Sequence, residues 1–345
     1  MSGIGLAILG VGWIGAIRAK NCSAHPLVES LHLADIDAEK ARLAAEGSRA
    51  RSWTTDYQEL LANKEVDAVI VSTTPETTHF PIARDCLLAG KHTLLEKPMG
   101  LTLKEADELI TIAKDAGLRF TIGYTQRFNP KFAYVKKCIA QGTLGTPVTA
   151  LVSRNVSRSI GIKIAGRVKL SPAVMEATHD IDFILWCLEG LRVKRVYAQS
   201  VYRVMEKEYG VPDCTWIMVT MEDGTVFTIG AGWVLPPGYP HFSCANIEVV
   251  GSEGSIYIDD THRDVILNTM KAGMVFPLST MPGEYVAELY QGPMRDETFH
   301  FIECVAYGRQ VLVTPEEARR VMEVTLAADL SAEQQRPIDL PLPPV

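Results

Sequence analysis

A short apolar run, Ile4–Leu9, leads into Gly10-x-Gly12-x-x-Gly15, and the glycines open a helix-like stretch to about Ala24. No other feature constrains the fold as strongly. A strand that turns at once into a helix through these glycines suits a dinucleotide-binding unit. Gly10 permits the tight turn, Gly12 lets the backbone approach a pyrophosphate, and Gly15 lets helix and strand pack closely. The helix start then offers free N–H groups and the positive end of its dipole to the phosphates. Trp13 and Ile14, inside the loop, join Gly10, Gly12 and Gly15 as expected cofactor contacts. Trp13 packs either over the cofactor or against the sheet.

The next hundred residues repeat strand and helix. Strands are expected at Val28–Ala34, Asp67–Ser72, His92–Leu95 and Phe120–Tyr124, with helices at Ala38–Glu46, Thr78–Ala89 and Leu103–Ala116. Such alternation implies right-handed crossovers and a doubly wound parallel sheet. After about Gly123 the pattern changes. Asn129-Pro130 begins a helix to Ala140. Strand candidates rich in β-branched and aromatic residues follow at Val148–Val156, Val193–Val204, Thr215–Met221, Val226–Val234, Ala245–Val250 and Ser255–Ile258. Glu222-Asp-Gly224 marks a hairpin. Helices are expected near Asp296–Tyr307 and Pro315–Ala332, and an extended tail at Pro337–Val345. The fold class is therefore α/β: a Rossmann domain over 1–124, then an α+β domain over 125–345 with a large, mostly antiparallel open sheet.

Asp35 stands 20 residues beyond Gly15, at the end of the second strand. A carboxylate there accepts from the adenosine ribose hydroxyls and repels a 2′-phosphate. No Arg or Lys immediately follows it, so NAD is preferred over NADP. Thr73, Thr74 and Pro75 lie just past the third strand, where ligands of open α/β sheets sit; an ordinary turn is an equal reading. Glu96-Lys97-Pro98 ends a later strand of the same sheet. Partial burial beside a cofactor would tune Lys97 for proton transfer, Glu96 would bond a cofactor ribose, and Pro98 would fix the turn. His179 starts an apolar helix with core positions Ile181, Ile184, Leu185 and Leu188. Taken alone, it is either a satisfied structural histidine or a catalyst.

Together these pieces resemble the glucose–fructose oxidoreductase / inositol 2-dehydrogenase (Gfo/Idh/MocA) family. The matching segments are Gly10–Gly15, Ser72–Pro75 with His79, Ala89 through Glu96-Lys97-Pro98, Gly123–Pro130, His179-Asp-Ile-Asp182, Val249–Ser255 and Ser331-Ala-Glu. The resemblance implies oxidation or reduction of a sugar, polyol or sugar acid. It makes Lys97 and His179 the catalytic pair, and Glu96, His79, Arg127 and the Thr73–Pro75 turn cofactor contacts. Tyr124 and Arg127 would border the active site. It also implies a homodimer or homotetramer formed through the C-terminal sheet. One position departs: many polyol dehydrogenases of the family carry an aspartate where this chain has Met175. Glu176 or Asp182 would then have to substitute.

Composition narrows the partners. The 345 residues carry a net charge of −7, which argues against non-specific nucleic-acid or anionic-membrane binding. Seven scattered cysteines without a Cys-x-x-Cys indicate neither a zinc site nor a disulfide framework, and an odd count fits a reducing, cytoplasmic setting. The N-terminus lacks a basic region and reads as a strand and turn rather than a signal peptide. A local basic stretch, Arg154, Arg158, Lys163, Arg167 and Lys169, precedes Glu176. It is either a solvated face or a site for an anionic substrate, with Arg154 and Asn155 as contacts. Trp233, Tyr239 and His241 either wall a pocket or pack a loop, and His300 is expected to be structural. The expected activity is an NAD-dependent dehydrogenase without a metal. A cofactor-retaining enzyme working through a transient ketone, and a non-catalytic NAD-binding regulator, are the rivals.

Overall fold

The structure is a computed structural model that describes residues 3–236, 239, 243–260, 267–271, 273–275, 284–287 and 289–343. Its first strand, β1 (Ile4–Leu9), is buried along its whole length, as a central parallel strand with both faces covered must be. In chain order follow α1 (Trp13–Ala24), β2 (Val28–Ala34), α2 (Ala38–Ser48), β3 (Ser52–Thr54), α3 (Tyr57–Ala62), β4 (Ala68–Val71), α4 (His79–Leu88), β5 (His92–Leu95), α5 (Leu103–Asp115) and β6 (Phe120–Ile122). The six strands pair in parallel in the order β3-β2-β1-β4-β5-β6. The order reverses between β1 and β4, the crevice where doubly wound sheets bind ligands. Helix starts are written locally. Asp37 and Asp56 accept from the first N–H groups of α2 and α3, and Thr102 with Glu105 forms a capping box on α5.

The second half opens with α6 (Pro130–Ala140), capped by Asn129. Next come β7 (Pro147–Ser157), α7 (Arg158–Ala165), a π-type turn at Ala173–Ala177, α8 (Thr178–Cys187), β8 (Val193–Val201), α9 (Met205–Tyr209), β9 (Cys214–Met221), β10 (Val226–Leu235), β11 (Ser243–Gly251) and β12 (Ser255–Asp259). Two small hairpins, β13 (Leu267–Thr269) with β14 (Gly273–Val275) and β15 (Glu284–Val286) with β16 (Leu289–Gln291), precede α10 (Pro293–Tyr307), α11 (Pro315–Gln334) and β17 (Ile338–Asp339). The large sheet runs β12-β11-β7-β10-β9-β8-β17. All its pairs are antiparallel except β7 with β10. The expected hairpin between β9 and β10 turns at Gly224, whose φ of 94° suits glycine. The short elements β3, α3, α7 and α9 were not expected. Within the proline-rich tail, β17 pairs with β8. Trp233 lies in β10, within the strand expected at Val226–Val234, and His241 falls outside the described residues.

The chain divides into two units: Met1–Phe128 with Pro282–Arg319, and Asn129–Met281 with Arg320–Val345. The sequence reading had a single boundary at 124/125. The difference is α10, which packs on α1 and β1 of the first unit. Its Phe301 and Ile302 complete a core with Ile4, Leu6, Ile8, Ala19, Leu33 and Ile70. An apolar helix announces that it will be buried, but not which sheet it will cover. In the second unit, Val156, Ile164, Met175, Met205 and Trp233 share a core cluster.

Candidate active site

At the β1–α1 turn the three glycines divide the work as their spacing suggests. Gly10 has φ of 83°, and a Cβ there would lie 2.7 Å from the Ser72 carbonyl oxygen. A Cβ on Gly15 would lie 1.9 Å from the Gly10 carbonyl oxygen. Around Gly12, by contrast, no heavy atom of the described residues beyond its two chain neighbours comes within 4 Å of a Cβ position. Two glycines are thus required by packing, and the third leaves room for a ligand. The first turn of α1 has no side-chain cap and no acid, so its N–H groups face that room with the helix dipole behind them. Asp35 holds the loop in place. Its Oδ2 accepts from Val11 N at 2.8 Å and its Oδ1 from Asp37 N at 3.0 Å. Trp13 is 59% exposed, whereas Ile14 packs toward Ile17, Tyr290 and Met294. The Ile14 side chain is therefore turned into the unit, leaving its backbone as the part available to a cofactor. Ile36, next to Asp35, is 93% exposed. These residues fit NAD.

The loop after β4 and the turn after β5 are tied together. Thr73 Oγ1 and Thr78 Oγ1 share a 2.7 Å hydrogen bond, and Thr78 Oγ1 also donates to the Pro75 carbonyl. The buried His79 ring places Nδ1 2.7 Å from the Pro98 carbonyl and Nε2 3.0 Å from that of Thr73. His79 thus joins the two loops with both nitrogens, and its bearing on a cofactor passes through the loops it holds. Both Thr74–Pro75 and Lys97–Pro98 are cis. Lys97 is half-buried. Its neighbour Glu96 accepts from Arg18 Nε at 2.9 Å and from Arg18 Nη2 at 2.6 Å. Tyr124 is buried. Arg127, also buried, donates from Nη1 to Glu317 Oε2 at 3.0 Å and to the Leu312 carbonyl at 3.2 Å. That nitrogen anchors the start of α11, a role the cofactor assignment did not foresee.

In the second unit His179 is half-buried near the start of α8. Its neighbour Asp180 is fully buried and takes Arg154 Nε and Nη2 at 2.6 and 2.7 Å. Burial alone would lower the Arg154 pKa, but Asp180, with help from Asp260 and Glu176, holds it raised. The guanidinium is therefore tied into the α8 scaffold. Successive strand residues face opposite sides, so with Arg154 turned toward α8, Asn155 lies on the other face of β7. The two residues expected as joint substrate contacts cannot line one pocket. The rest of the basic stretch is also divided: Lys163 and Arg167 are exposed on and just after α7, and Lys169 donates to the Ala165 carbonyl.

Met175 is 3% exposed inside the apolar cluster that contains Trp233. Glu176 Oε1 accepts from the Trp233 indole N–H at 2.7 Å, so this carboxylate steadies a core tryptophan. Asp182 is fully buried. His300 accepts the Leu312 N–H at Nε2, 2.9 Å, a structural role. The sequence reading missed Arg18, Glu297, Asp180 and Ile36 as site-shaping residues. For Arg18 the available signal was an arginine on α1 three positions beyond Gly15, on a face that must pack against the sheet.

Comparisons with known proteins agree with this geometry. Residues 4–124 match the model of an oxidoreductase family with an NAD-binding Rossmann fold, and residues 132–257 match the GFO/IDH/MocA C-terminal domain. The chain is 26% identical over 339 residues to the scyllo-inositol 2-dehydrogenase (NAD(+)) of Bacillus subtilis, covering 97% of this chain and 95% of that one. It is 26% identical over 340 residues to the myo-inositol 2-dehydrogenase of Thermotoga maritima, covering 97% and 98%. Scyllo-inositol dehydrogenase from Lactobacillus casei, solved with NAD(H) and scyllo-inositol, superposes with a TM-score of 0.84 at 20% identity, covering 98% of this chain and 99% of that one. At that identity the likeness is one of fold.

Proposed function

The chain belongs to the GFO/IDH/MocA family of NAD-binding oxidoreductases, and on that premise we propose that it is an NAD-dependent dehydrogenase acting on a hydroxyl of a neutral polyol or sugar, an inositol being the leading candidate. The observation that carries the reading is the Lys97 turn, which follows a strand of the sheet that forms the Gly12 cradle and is fixed by Glu96 and His79. The neutral substrate is favoured by Arg154. Two of its nitrogens already serve Asp180, so the stretch that suggested an anionic substrate lacks its central cation.

In this proposal the bound NAD supplies the hydride acceptor. The chain's own residues orient the substrate and move the proton. The N–H groups of α1 and the Asp35 carboxylate secure the two ends of the dinucleotide's phosphate–ribose segment. Lys97 takes the hydroxyl proton as the C–H bond breaks, and gives it back in the reverse direction. His179 is assigned a hydrogen bond to the substrate hydroxyl, and Tyr124 a place beside the substrate. NAD is preferred because Asp35 and the apolar Ile36 stand where a 2′-phosphate would need positive charge. We further propose a homo-oligomer formed through the open face of the large sheet. Leu151, Trp216, Met218 and Tyr257 are about half exposed there, and a large apolar patch on a sheet invites a second copy.

The test is nicotinamide absorbance with NAD and then NADP against inositols, aldoses, sugar acids and phosphorylated sugars, with Lys97→Ala in parallel. NADH formation with a neutral polyol, lost in the variant, supports the proposal. Turnover only with sugar acids or phosphates would overturn the neutral-substrate assignment. Met175, packed in the apolar core where many polyol dehydrogenases have a carboxylate, keeps one second reading in view: an enzyme that oxidises and re-reduces its substrate. Product formed without NADH accumulation would establish it.

A further inference from the structure

Behind the Lys97 turn, α1 and α10 place one guanidinium between two carboxylates. Arg18 is entirely buried. Besides its two bonds to Glu96 Oε1, it donates from Nη2 to Glu297 Oε2 at 2.6 Å and from Nη1 to Thr298 Oγ1 at 2.9 Å. Glu297 is 3% exposed, and the same Oε2 also takes a long contact, 3.4 Å, from Thr125 Oγ1. Its Oε1 is buried with no hydrogen-bond partner among the described residues. Gly123 makes room for the cluster: a Cβ there would lie 2.9 Å from Glu96 Oε2 and 3.4 Å from Arg18 Nη2.

A buried triad of this kind is weak evidence for stability, because desolvating three charges offsets their attraction. What it does supply is direction. Glu96 immediately precedes Lys97, and the side chain that fixes Glu96 is shared with a second acid. We infer that Arg18 and Glu297 are positioning residues for the Glu96–Lys97 turn, and that the proton on Glu297 sets how firmly Arg18 holds Glu96.

The charge balance gives the sense of the effect. With Glu297 neutral, Arg18 and Glu96 form a one-to-one ion pair. With Glu297 ionised, two carboxylates compete for the same Nη2 and the cluster carries a net negative charge. The charged groups facing Glu297 are Arg18 on α1 and Glu96 after β5; Thr125 adds a neutral hydroxyl. Cys22, close to Arg18, is held as a neutral thiol by burial. Burial pushes the Glu297 carboxyl up to about 7, against the pull of Arg18 and with help from Glu96. The change of state therefore falls near neutral pH.

This inference rests on the proposed cofactor contact of Glu96, and not on the proton-transfer role proposed for Lys97. The experiment titrates the full-length protein with NADH by fluorescence from pH about 6 to about 8, for wild type, Glu297→Gln and Arg18→Lys, with thermal melts to confirm folding. Wild-type affinity is expected to weaken with rising pH, by up to about tenfold, the effect of one unit of coupling. Glu297→Gln, which keeps the size and a hydrogen-bonding oxygen, should hold the low-pH affinity throughout. Arg18→Lys, which has no fork to span two acids, should bind NADH more weakly at every pH. The same pH profile in wild type and Glu297→Gln would overturn the inference. If Arg18→Lys does not fold, Glu297→Gln alone decides. A flattened profile in Glu297→Gln, together with a Lys97→Ala variant that turns over normally, would sustain the triad and reject the dehydrogenase mechanism.

Discussion

The guanidinium of Arg154 grips both carboxylate oxygens of Asp180, at 2.6 and 2.7 Å, one residue beyond His179. Neither group touches water to any extent. Removing one partner leaves the other charged and buried, so Asp180→Ala is expected to cost about 3–5 kcal/mol in urea unfolding. Replacing both with apolar residues of similar volume should recover much of that loss. An unchanged urea midpoint in Asp180→Ala would show that the pair does not hold α8 against β7.

Lys97→Ala should lower kcat/KM by about 10²- to 10⁴-fold, the usual weight of a positioned proton donor or acceptor. NADH affinity should change little, since the N–H groups of α1 and Asp35 are untouched. Loss of cofactor binding with unchanged turnover of bound substrate would assign Lys97 to binding instead.

Asp35 holds the glycine loop through Val11 N, and in the proposed cofactor site it stands where a 2′-phosphate would sit. The double variant Asp35→Ser, Ile36→Arg is therefore expected to raise the NADP-to-NAD preference by about tenfold or more, the value of one new charge-assisted pair. Absolute affinity for NAD should fall at the same time, because the loop loses an anchor. Comparison of the two dissociation constants checks both halves.

Met175→Asp supplies the carboxylate that the family resemblance leads one to expect at this position, but places it among Val156, Ile164 and Trp233. Burying a polar group without compensation costs at least about 2 kcal/mol. The variant should melt below wild type and gain no polyol turnover. A stable variant with faster turnover would mean that this turn of the chain opens toward the substrate after all.

Asp329, on α11, is pushed up to about 6 by burial, against a hydrogen bond from Ser171 and with Glu333 adding to the rise. The folded chain keeps a proton that the unfolded chain gives up near 3.8. This contribution is present at acid pH, is lost as pH rises through about 6, and stays lost above. Asp329→Asn should therefore be more stable than wild type at neutral pH, with the advantage gone below about pH 4. Parallel melts at the two pH values measure it.

Much of the architecture was legible because it is written in short-range signals. The all-apolar run Ile4–Leu9, the strand alternation of Thr215–Met221 and the turn at Gly224 each specify their element without help from distant residues. The cradle was legible for the same reason, since Gly10 is demanded by its positive φ and Gly15 by contact with the Gly10 carbonyl within the turn. What escaped depends on separation. Arg18 looks like any helical arginine until Glu297, 279 residues away, is brought against it. Asp180 was in view beside His179, but nothing local says that Arg154 will take both its oxygens. Arg154 and Asn155 were paired as contacts although strand alternation alone sends them to opposite faces. The destination of α10 was hidden too, because periodicity reveals an apolar face and not its partner.

The placement of α10 has a consequence for how the protein is made. A ribosome releases β1, α1 and the whole parallel sheet long before it releases Phe301, Ile302 and Glu297. During that interval the nascent first unit exposes an apolar patch around Ile4, Leu6 and Ala19, and Arg18 lacks its second acid. The long segment Asn129–Met281 of the second unit also emerges before the first is closed, while its last piece, Arg320–Val345, follows α10. Synthesis therefore leaves the nucleotide-binding half open until α10 arrives, dependent on whatever shields that patch in the interval.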